Sequence, residues 1–147
     1  MKLIIQRVQQ AQVVVHKKEI ASIKKGLLVL IGIKEGDTRD QAAWLIKKLL
    51  KLRIFEDDSG KMNRSVTDMD GAILMVPNFT LYADATKGNR PSFVKAAAPD
   101  EARILYEKTI ERLKELTQLK VETGQFGAHM EVNLLNDGPV TIVLEKS

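Results

Sequence analysis

The final stretch of the chain, residues 130–147, constrains the fold more than any other part. It reads M-E-V-N-L-L-N-D-G-P-V-T-I-V-L-E-K-S. Apolar residues alternate at Met130, Val132 and Leu134, and again at Val140, Ile142 and Leu144. A period of two puts one set of side chains on one face, which marks half-buried strands. Asn136-Asp137-Gly138-Pro139 lies between the two segments, and such a cluster predicts a turn. Glycine can take φ > 0, while proline fixes its φ and donates no hydrogen bond. An X–Pro bond is also the one peptide at which the cis form costs little. A surface built on Gly138 and Pro139 would select a partner by shape and backbone contact. It would not attack one with an acid or a nucleophile.

The first third of the chain is also strand-like, over residues 3–8, 12–16, 19–23 and 26–33. Leu27-Leu28-Val29-Leu30-Ile31 is apolar on both faces and predicts a central, fully buried strand. Gly36-Asp37-Thr38 ends it, and Thr38 with Gln41 forms a candidate capping box. The helix that follows has Ala42, Leu45, Ile46, Leu49 and Leu52 on one face and lysines 47, 48 and 51 mostly on the other. Short strands are expected at 53–55 and 72–76, the latter running into Pro77-Asn78-Phe79-Thr80-Leu81. Residues 84–98 read as a long loop. Pro99 in a first helical position, followed by Asp100 and Glu101, opens a second helix. Its expected buried stripe is Ala102, Leu105, Tyr106, Thr109, Ile110, Leu113 and Leu116. Strands at 121–126 and 130–135 bring the total to eight or nine. Short turns join most of them, so the sheet is expected to be largely antiparallel. The fold class is α+β: curled sheets forming a β-barrel-like domain, with two main helices packed outside.

A chain of 147 residues suits one domain, 1–147, with a full core. No apolar run approaches the ~20 residues that cross a bilayer, and Arg7 interrupts the apolar start. These features predict a cytoplasmic protein without membrane association. The absence of cysteine excludes disulfides, thiolate catalysis and Cys-ligated zinc. A net charge of +4 and a pI of about 9.3 favour an anionic partner, with RNA the first candidate.

Candidate chemistry is sparse. His16 and His129 are the only histidines, and neither has a partner at a telling spacing. Asp57/Asp58 and Asp68/Asp70 sit in turns, where aspartate bonds its own backbone. No metal-ligand pattern follows them, and no cofactor motif is present. Pro77 inside a strand predicts an edge or a bulge, where backbone N–H groups stay free for a ligand. Thr80 offers a hydroxyl there, but no activating base lies nearby in sequence. A ligand contact through its hydroxyl or amide fits better than a nucleophile. Lys87-Gly88-Asn89-Arg90-Pro91-Ser92-Phe93 combines cations, a flexible glycine and an aromatic. It suits a phosphate-binding loop or a solvated turn equally.

Taken in order, these segments resemble one family, the D-aminoacyl-tRNA deacylases in their common bacterial and eukaryotic form. The resemblance rests on Gln6-Arg7-Val8, Gly26-Leu27-Leu28-Val29, Arg53-Ile54-Phe55 and Gly60-Lys61-Met62-Asn63. It continues through Phe79-Thr80-Leu81, Gly88-Asn89-Arg90-Pro91-Ser92-Phe93, Thr123-Gly124, Phe126 and Asn136-Asp137-Gly138-Pro139-Val140-Thr141. It implies hydrolysis of the ester joining a D-amino acid, or glycine, to the 3′-terminal adenosine of tRNA. It implies a homodimer with both sites at the subunit interface. A Gly-cis-Pro element, here Gly138-Pro139, would reach into the other subunit's pocket and exclude L-amino acids, with Arg7 steadying it. Phe79 and Thr80 would line the adenosine and ester site. Pro77, Asn78, Met130 and Val140 would contact substrate, and Lys87 and Arg90 the tRNA. The 2′-hydroxyl of the tRNA itself would assist hydrolysis.

One departure stands out. The family usually has Ser-Gln before Phe-Thr-Leu, where this chain has Pro77-Asn78. A related branch that clears L-alanine from the wrong tRNA carries proline there, without the phenylalanine found at Phe79. Three functions therefore compete: the deacylase, including its L-alanyl-clearing form; a non-catalytic RNA-binding module; and a small-molecule esterase. The last lacks a Ser/His/acid set.

Overall fold

The computed structural model describes all residues 1–147, and its organising element is the first strand. β1 (Lys2–Val15) pairs along one whole edge with β8 (Glu131–Glu145). Its other edge is shared by β3 (Gly26–Gly32), over residues 2–8, and β2 (Lys18–Ile23), over residues 11–15. All three ladders are antiparallel. The two strands expected at 3–8 and 12–16 are thus one strand, with a register shift near Gln9. His16 and Lys17 turn the chain into β2 with φ of 49° and 63°, the primed geometry that matches strand twist in a two-residue hairpin.

Beyond β3 the sheet becomes parallel. α1 (Arg39–Lys51) and the small hairpin of β4 (Phe55–Glu56) and β5 (Met62–Arg64) lie between β3 and β6 (Ala72–Pro77). α2 (Pro99–Leu116) lies between β6 and β7 (Val121–Thr123). Both pairings, β3–β6 and β6–β7, are parallel. The sheet is therefore mixed, with most paired residues in the antiparallel ladders of β1. It curls until β2 meets β6 and β7, and Lys120 Nζ, just before β7, donates to the Ser22 carbonyl of β2 at 3.0 Å. Two helices outside a nearly closed, barrel-like sheet are the architecture expected from the sequence.

The alternation of each strand splits the apolar residues between two cores. Leu3, Ile5, Leu27, Val29, Ile73 and Met75 face the helices and pack with Leu45, Leu49, Tyr106 and Leu113. Val8, Ala11, Val13, Leu28, Leu74 and Val76 face the inside of the curl. Gly26 is required where β3 meets β6, because a Cβ there would stand 1.9 Å from the Ala72 carbonyl oxygen. The Thr38 capping box forms, with the Thr38 amide donating to Gln41 Oε1 at 2.6 Å and the Gln41 amide to Thr38 Oγ1 at 3.4 Å. On α2, Leu105 is only half-buried and Leu116 is exposed, so the buried stripe is shorter than the periodicity suggests. No helix is long and apolar enough to cross a membrane.

Candidate active site

The turn expected at Asn136–Pro139 does not reverse the chain. Both halves of β8 run on along β1, with Val8 opposite Asn136 and Gln6 opposite Thr141. One residue of β1, Arg7, therefore faces four of β8, residues 137–140, which loop out of the sheet. The Gly138–Pro139 peptide is cis and both residues are exposed. Alternating segments around a Gly-Pro cluster look the same in sequence whether the loop is a hairpin or a bulge on a shared partner strand.

The base of this loop is tied from two sides. Arg7 is 6% exposed. Its Nε donates to the Asp137 carbonyl and its Nη1 to the Ile54 carbonyl, both at 2.8 Å. Asn136 closes the neck, its Oδ1 accepting from the Val140 amide at 2.8 Å and its Nδ2 donating to the Val140 carbonyl at 3.1 Å. The Val140 side chain, expected from the resemblance to touch substrate, is instead buried in the core that faces the helices. It holds the loop down rather than lining an open surface. Asn136 was not among the expected site residues, although an Asn opening a turn cluster is the visible signal of such a clamp.

The other expected site residues gather at the end of β6. Pro77 is its last residue, opposite Ile31, an end position where a missing N–H costs no ladder bond. The chain then forms a 3₁₀ turn over Phe79–Tyr82, not the strand edge or bulge predicted for residues 77–81. Asn78 causes this. Its side-chain Oδ1 accepts from the Thr80 amide at 3.1 Å and from Thr80 Oγ1 at 2.5 Å. The Asn78 amide donates to the Ile31 carbonyl at 2.9 Å. The amides of Asn78 and Thr80 are thus both engaged, and the Thr80 hydroxyl proton points at a carbonyl oxygen rather than at a base.

Two clefts meet at this turn, and Pro77, Asn78 and Phe79 line both. The first, of about 710 Å³, is apolar and carries three aromatic rings, Phe79, Phe93 and Phe126. Phe79 and Phe93 meet edge to face at 5.0 Å between centroids. Beneath it Tyr106 donates to the Met75 carbonyl at 3.1 Å, and burial pushes its phenol well above the usual range. The second, of about 590 Å³, adds Thr80, Met130 and Gln6. His129 is the one titratable side chain on its walls. The sequence offered Phe93 only as the aromatic of a candidate phosphate-binding loop and Phe126 only as part of the family resemblance, since isolated aromatics in loops give no periodic signal.

Gly138 and Pro139 line neither cleft of their own chain. The second cleft does reach the loop's C-terminal root through Gln6, whose Nε2 donates to Thr141 Oγ1 at 3.3 Å. Lys87 and Arg90 are exposed on the loop after the 3₁₀ turn. Asp84 ties that loop: Lys95 Nζ donates to it at 2.8 Å, as do the Thr86 hydroxyl at 2.6 Å and amide at 3.0 Å. The Lys95 ammonium, with help from Thr86, holds the Asp84 carboxyl well below the ordinary carboxylate range. No three His, Asp or Glu side chains converge as a metal site would require.

The curled α+β sheet thus carries two open clefts that meet at one 3₁₀ turn, and a tied-down loop that lines neither, which is the geometry of a ligand-binding domain. Comparison with known proteins makes the assignment specific. Residues 4–145 match the family described as D-Tyr-tRNA(Tyr) deacylase. A D-aminoacyl-tRNA deacylase of Chloroherpeton thalassium is 57% identical over 145 residues, covering 99% of this chain and 95% of the relative. That of Thermotoga petrophila is 52% identical over 147 residues, covering 100% and 98%. A solved structure described as c-Myc DNA Unwinding Element Binding Protein superposes with a TM-score of 0.95 at 41% identity, over 100% of this chain and 99% of that one. A second, described as "a probable eukaryotic D-amino acid tRNA deacylase", gives 0.85 at 18% identity over 97% of each, which speaks to the fold alone. The chain belongs to the D-aminoacyl-tRNA deacylase family, a family of hydrolases.

Proposed function

We propose that the protein, as one domain over residues 1–147, hydrolyses the ester between a D-amino acid or glycine and the 3′-terminal adenosine of tRNA. The observation that carries this reading is the pair of clefts sharing the Phe79 wall. Aromatic rings in the larger cleft suit a nucleobase, because every base offers a π-face for stacking. The smaller cleft, with Thr80, Met130 and Gln6, suits the aminoacyl group, and the ester then lies at Phe79 and Thr80. Water adds to the ester carbonyl, the bond to the ribose oxygen breaks, and that oxygen leaves with a proton. Thr80 has no base beside it and its hydroxyl proton is held by Asn78. Assistance by the neighbouring 2′-hydroxyl of the substrate supplies the missing group.

Chiral choice falls to Gly138 and Pro139. They project from their own subunit and line none of its clefts, so we assign them to the cleft of a partner copy. β8 supports that arrangement. It is a 15-residue strand paired on one side only, with Leu134, Leu135 and Val143 exposed. An edge of this length is a ready template for a second chain. Lys87 and Arg90 would contact the tRNA backbone. No resident cofactor enters this scheme, and its setting is the cytoplasm. Pro77 favours a second reading, clearance of L-alanyl-tRNA, because it reshapes the wall that both clefts share.

Deacylation of D-tyrosyl-, glycyl-, L-tyrosyl- and L-alanyl-tRNA by the purified protein tests this. The D-tyrosyl and glycyl esters are expected to be cleared and L-tyrosyl spared. A tRNA ending in 2′-deoxyadenosine is expected to react slowly. Efficient L-tyrosyl hydrolysis would remove the chiral role of Gly138-Pro139. Preferential L-alanyl hydrolysis would establish the second reading. Binding of tRNA without hydrolysis of any ester would leave an RNA-binding module.

A further inference from the structure

Five cations without a carboxylate partner surround the chain's one tryptophan, on the face of α1 turned away from the core. Lys47, Lys48 and Lys51 project from α1, Arg53 follows it, and Lys146 arrives from the end of β8. None lies within 4 Å of a carboxylate, whereas Lys95, Lys108 and Arg112 all make ion pairs at 2.8 Å. Trp44 is 43% exposed, and Lys146 Nζ stands 5.5 Å from its ring centroid. Trp44, Lys47, Lys48, Lys51 and Arg53 line a shallow groove of about 390 Å³.

Two ordinary explanations fall short. Lysines in a last helical turn complement the helix dipole, which accounts for Lys48 and Lys51. It does not account for Lys47, Arg53 or Lys146, or for an exposed indole among them. A membrane-binding helix needs an exposed apolar face, but Leu45, Ile46, Leu49 and Leu50 are all buried. What remains is a flat aromatic ring among unpaired cations, the pattern that grips a sugar–phosphate backbone.

The groove also leads to the site. Arg53 precedes Ile54, whose carbonyl accepts from Arg7, and Arg7 in turn holds Asp137 at the base of the Gly138-Pro139 loop. We infer that the Trp44–Arg53 face of α1 docks the sugar–phosphate backbone of the tRNA body, away from the acylated end. This rests on the deacylase reading above. An RNA lying along α1 of one subunit is thereby led toward the loop which that subunit lends to its partner's cleft.

The test combines one long and one short substrate. Affinity for full-length tRNA is measured between 50 and 200 mM salt, as in any phosphate-contact analysis. Hydrolysis is measured on D-tyrosyl-tRNA and on 3′-O-(D-tyrosyl)adenosine, which has no tRNA body. The variant Lys47→Gln/Lys48→Gln/Lys51→Gln is expected to lose tRNA affinity about tenfold or more at low salt. Its log–log salt slope should become shallower by about one for each lysine that meets a phosphate. Its rate on the short ester should match the parent. Trp44→Ala is expected to weaken tRNA binding about fivefold or more, and Trp44→Phe to restore most of it. An unchanged affinity and slope in the triple variant overturns the proposal, as does an equal loss on both esters. Loss of binding to phosphatidylglycerol–phosphatidylcholine vesicles with tRNA binding intact would assign the surface to a membrane and overturn it too. If the parent hydrolyses neither ester while tRNA binding depends on the lysines, the docking surface stands and the deacylase reading falls.

Discussion

Replacing Arg7 by Met separates the loop from its anchor while keeping side-chain length. Two charge-assisted hydrogen bonds are lost, to the Asp137 and Ile54 carbonyls. Each contributes about 1.5–3 kcal/mol net, so the gross loss is about 3–6 kcal/mol. Relief from burying a guanidinium offsets part of it, since a charge removed from water is costly even when paired. The Asp137 carbonyl is half-buried and can bind water; the Ile54 segment is buried and its carbonyl cannot readily do so. A net destabilisation of about 2–4 kcal/mol follows, which for a chain of this size lowers Tm by roughly 4–16 °C. The functional effect should exceed the stability effect at temperatures where the variant is folded, because the loop base loosens before the sheet does. The ratio of D-tyrosyl to L-tyrosyl hydrolysis is expected to drop at least about tenfold, through a rise in the L rate. Arg7→Lys should sit between, keeping the charge but losing the two-pronged geometry. Calorimetry and paired deacylation assays measure both effects. A variant with parental Tm and parental D/L ratio would refute the account of Arg7 as the loop's anchor.

Three further outcomes are expected. Thr80→Ala should retain substantial deacylase activity, since loss of a covalent nucleophile lowers rates by several powers of ten and the Thr80 hydroxyl has no base; a trapped acyl-Thr80 ester would decide otherwise. Leu135→Lys, at an exposed position on β8, should shift the protein toward monomer in sedimentation and lower activity with it, because an edge charge discourages strand pairing. Undiminished activity from a clean monomer would refute a site shared between subunits. Gly26→Ala should destabilise by at least about 2 kcal/mol in urea unfolding, because its Cβ would meet backbone rather than a yielding side chain; an unchanged midpoint would contradict the tight β3–β6 approach.

Elements set by local signals were legible. Thr38 with Gln41 and Pro99 with Asp100 announce both helix starts, and the unbroken apolar run at 27–31 announces the buried β3. Pairing was less so. The order β3, α1, β6, α2, β7 contains two crossovers through helices, and such crossovers make strands parallel. The largely antiparallel expectation came from short turns joining most strands; it holds for the three ladders of β1 and does not extend to strands joined through a helix. At the site, the family resemblance brought out Phe79, Thr80 and Met130, which line one cleft, and Arg7 and Pro139, which lie apart from it. Sequence spacing could not reveal that Asn78 folds residues 79–82 into a 3₁₀ turn, nor that Val140 points inward. Both depend on which neighbour a side chain meets in three dimensions.

The longest ladder of the protein joins its first strand to its last. Lys2 pairs with Glu145 and Val14 with Glu131, contacts more than a hundred residues apart in sequence. Closing so long a loop carries an entropic cost that must be met before its contacts reward it. The same last strand carries Gly138 and Pro139, as well as Val132 and Leu134 on the wall of the smaller cleft. A chain that has not yet seated β8 therefore lacks the Gly138-Pro139 loop and part of the smaller cleft together. The larger cleft draws nothing from β8, so in the reading proposed above the nucleobase site is complete before the aminoacyl site and its chiral filter, which are finished together.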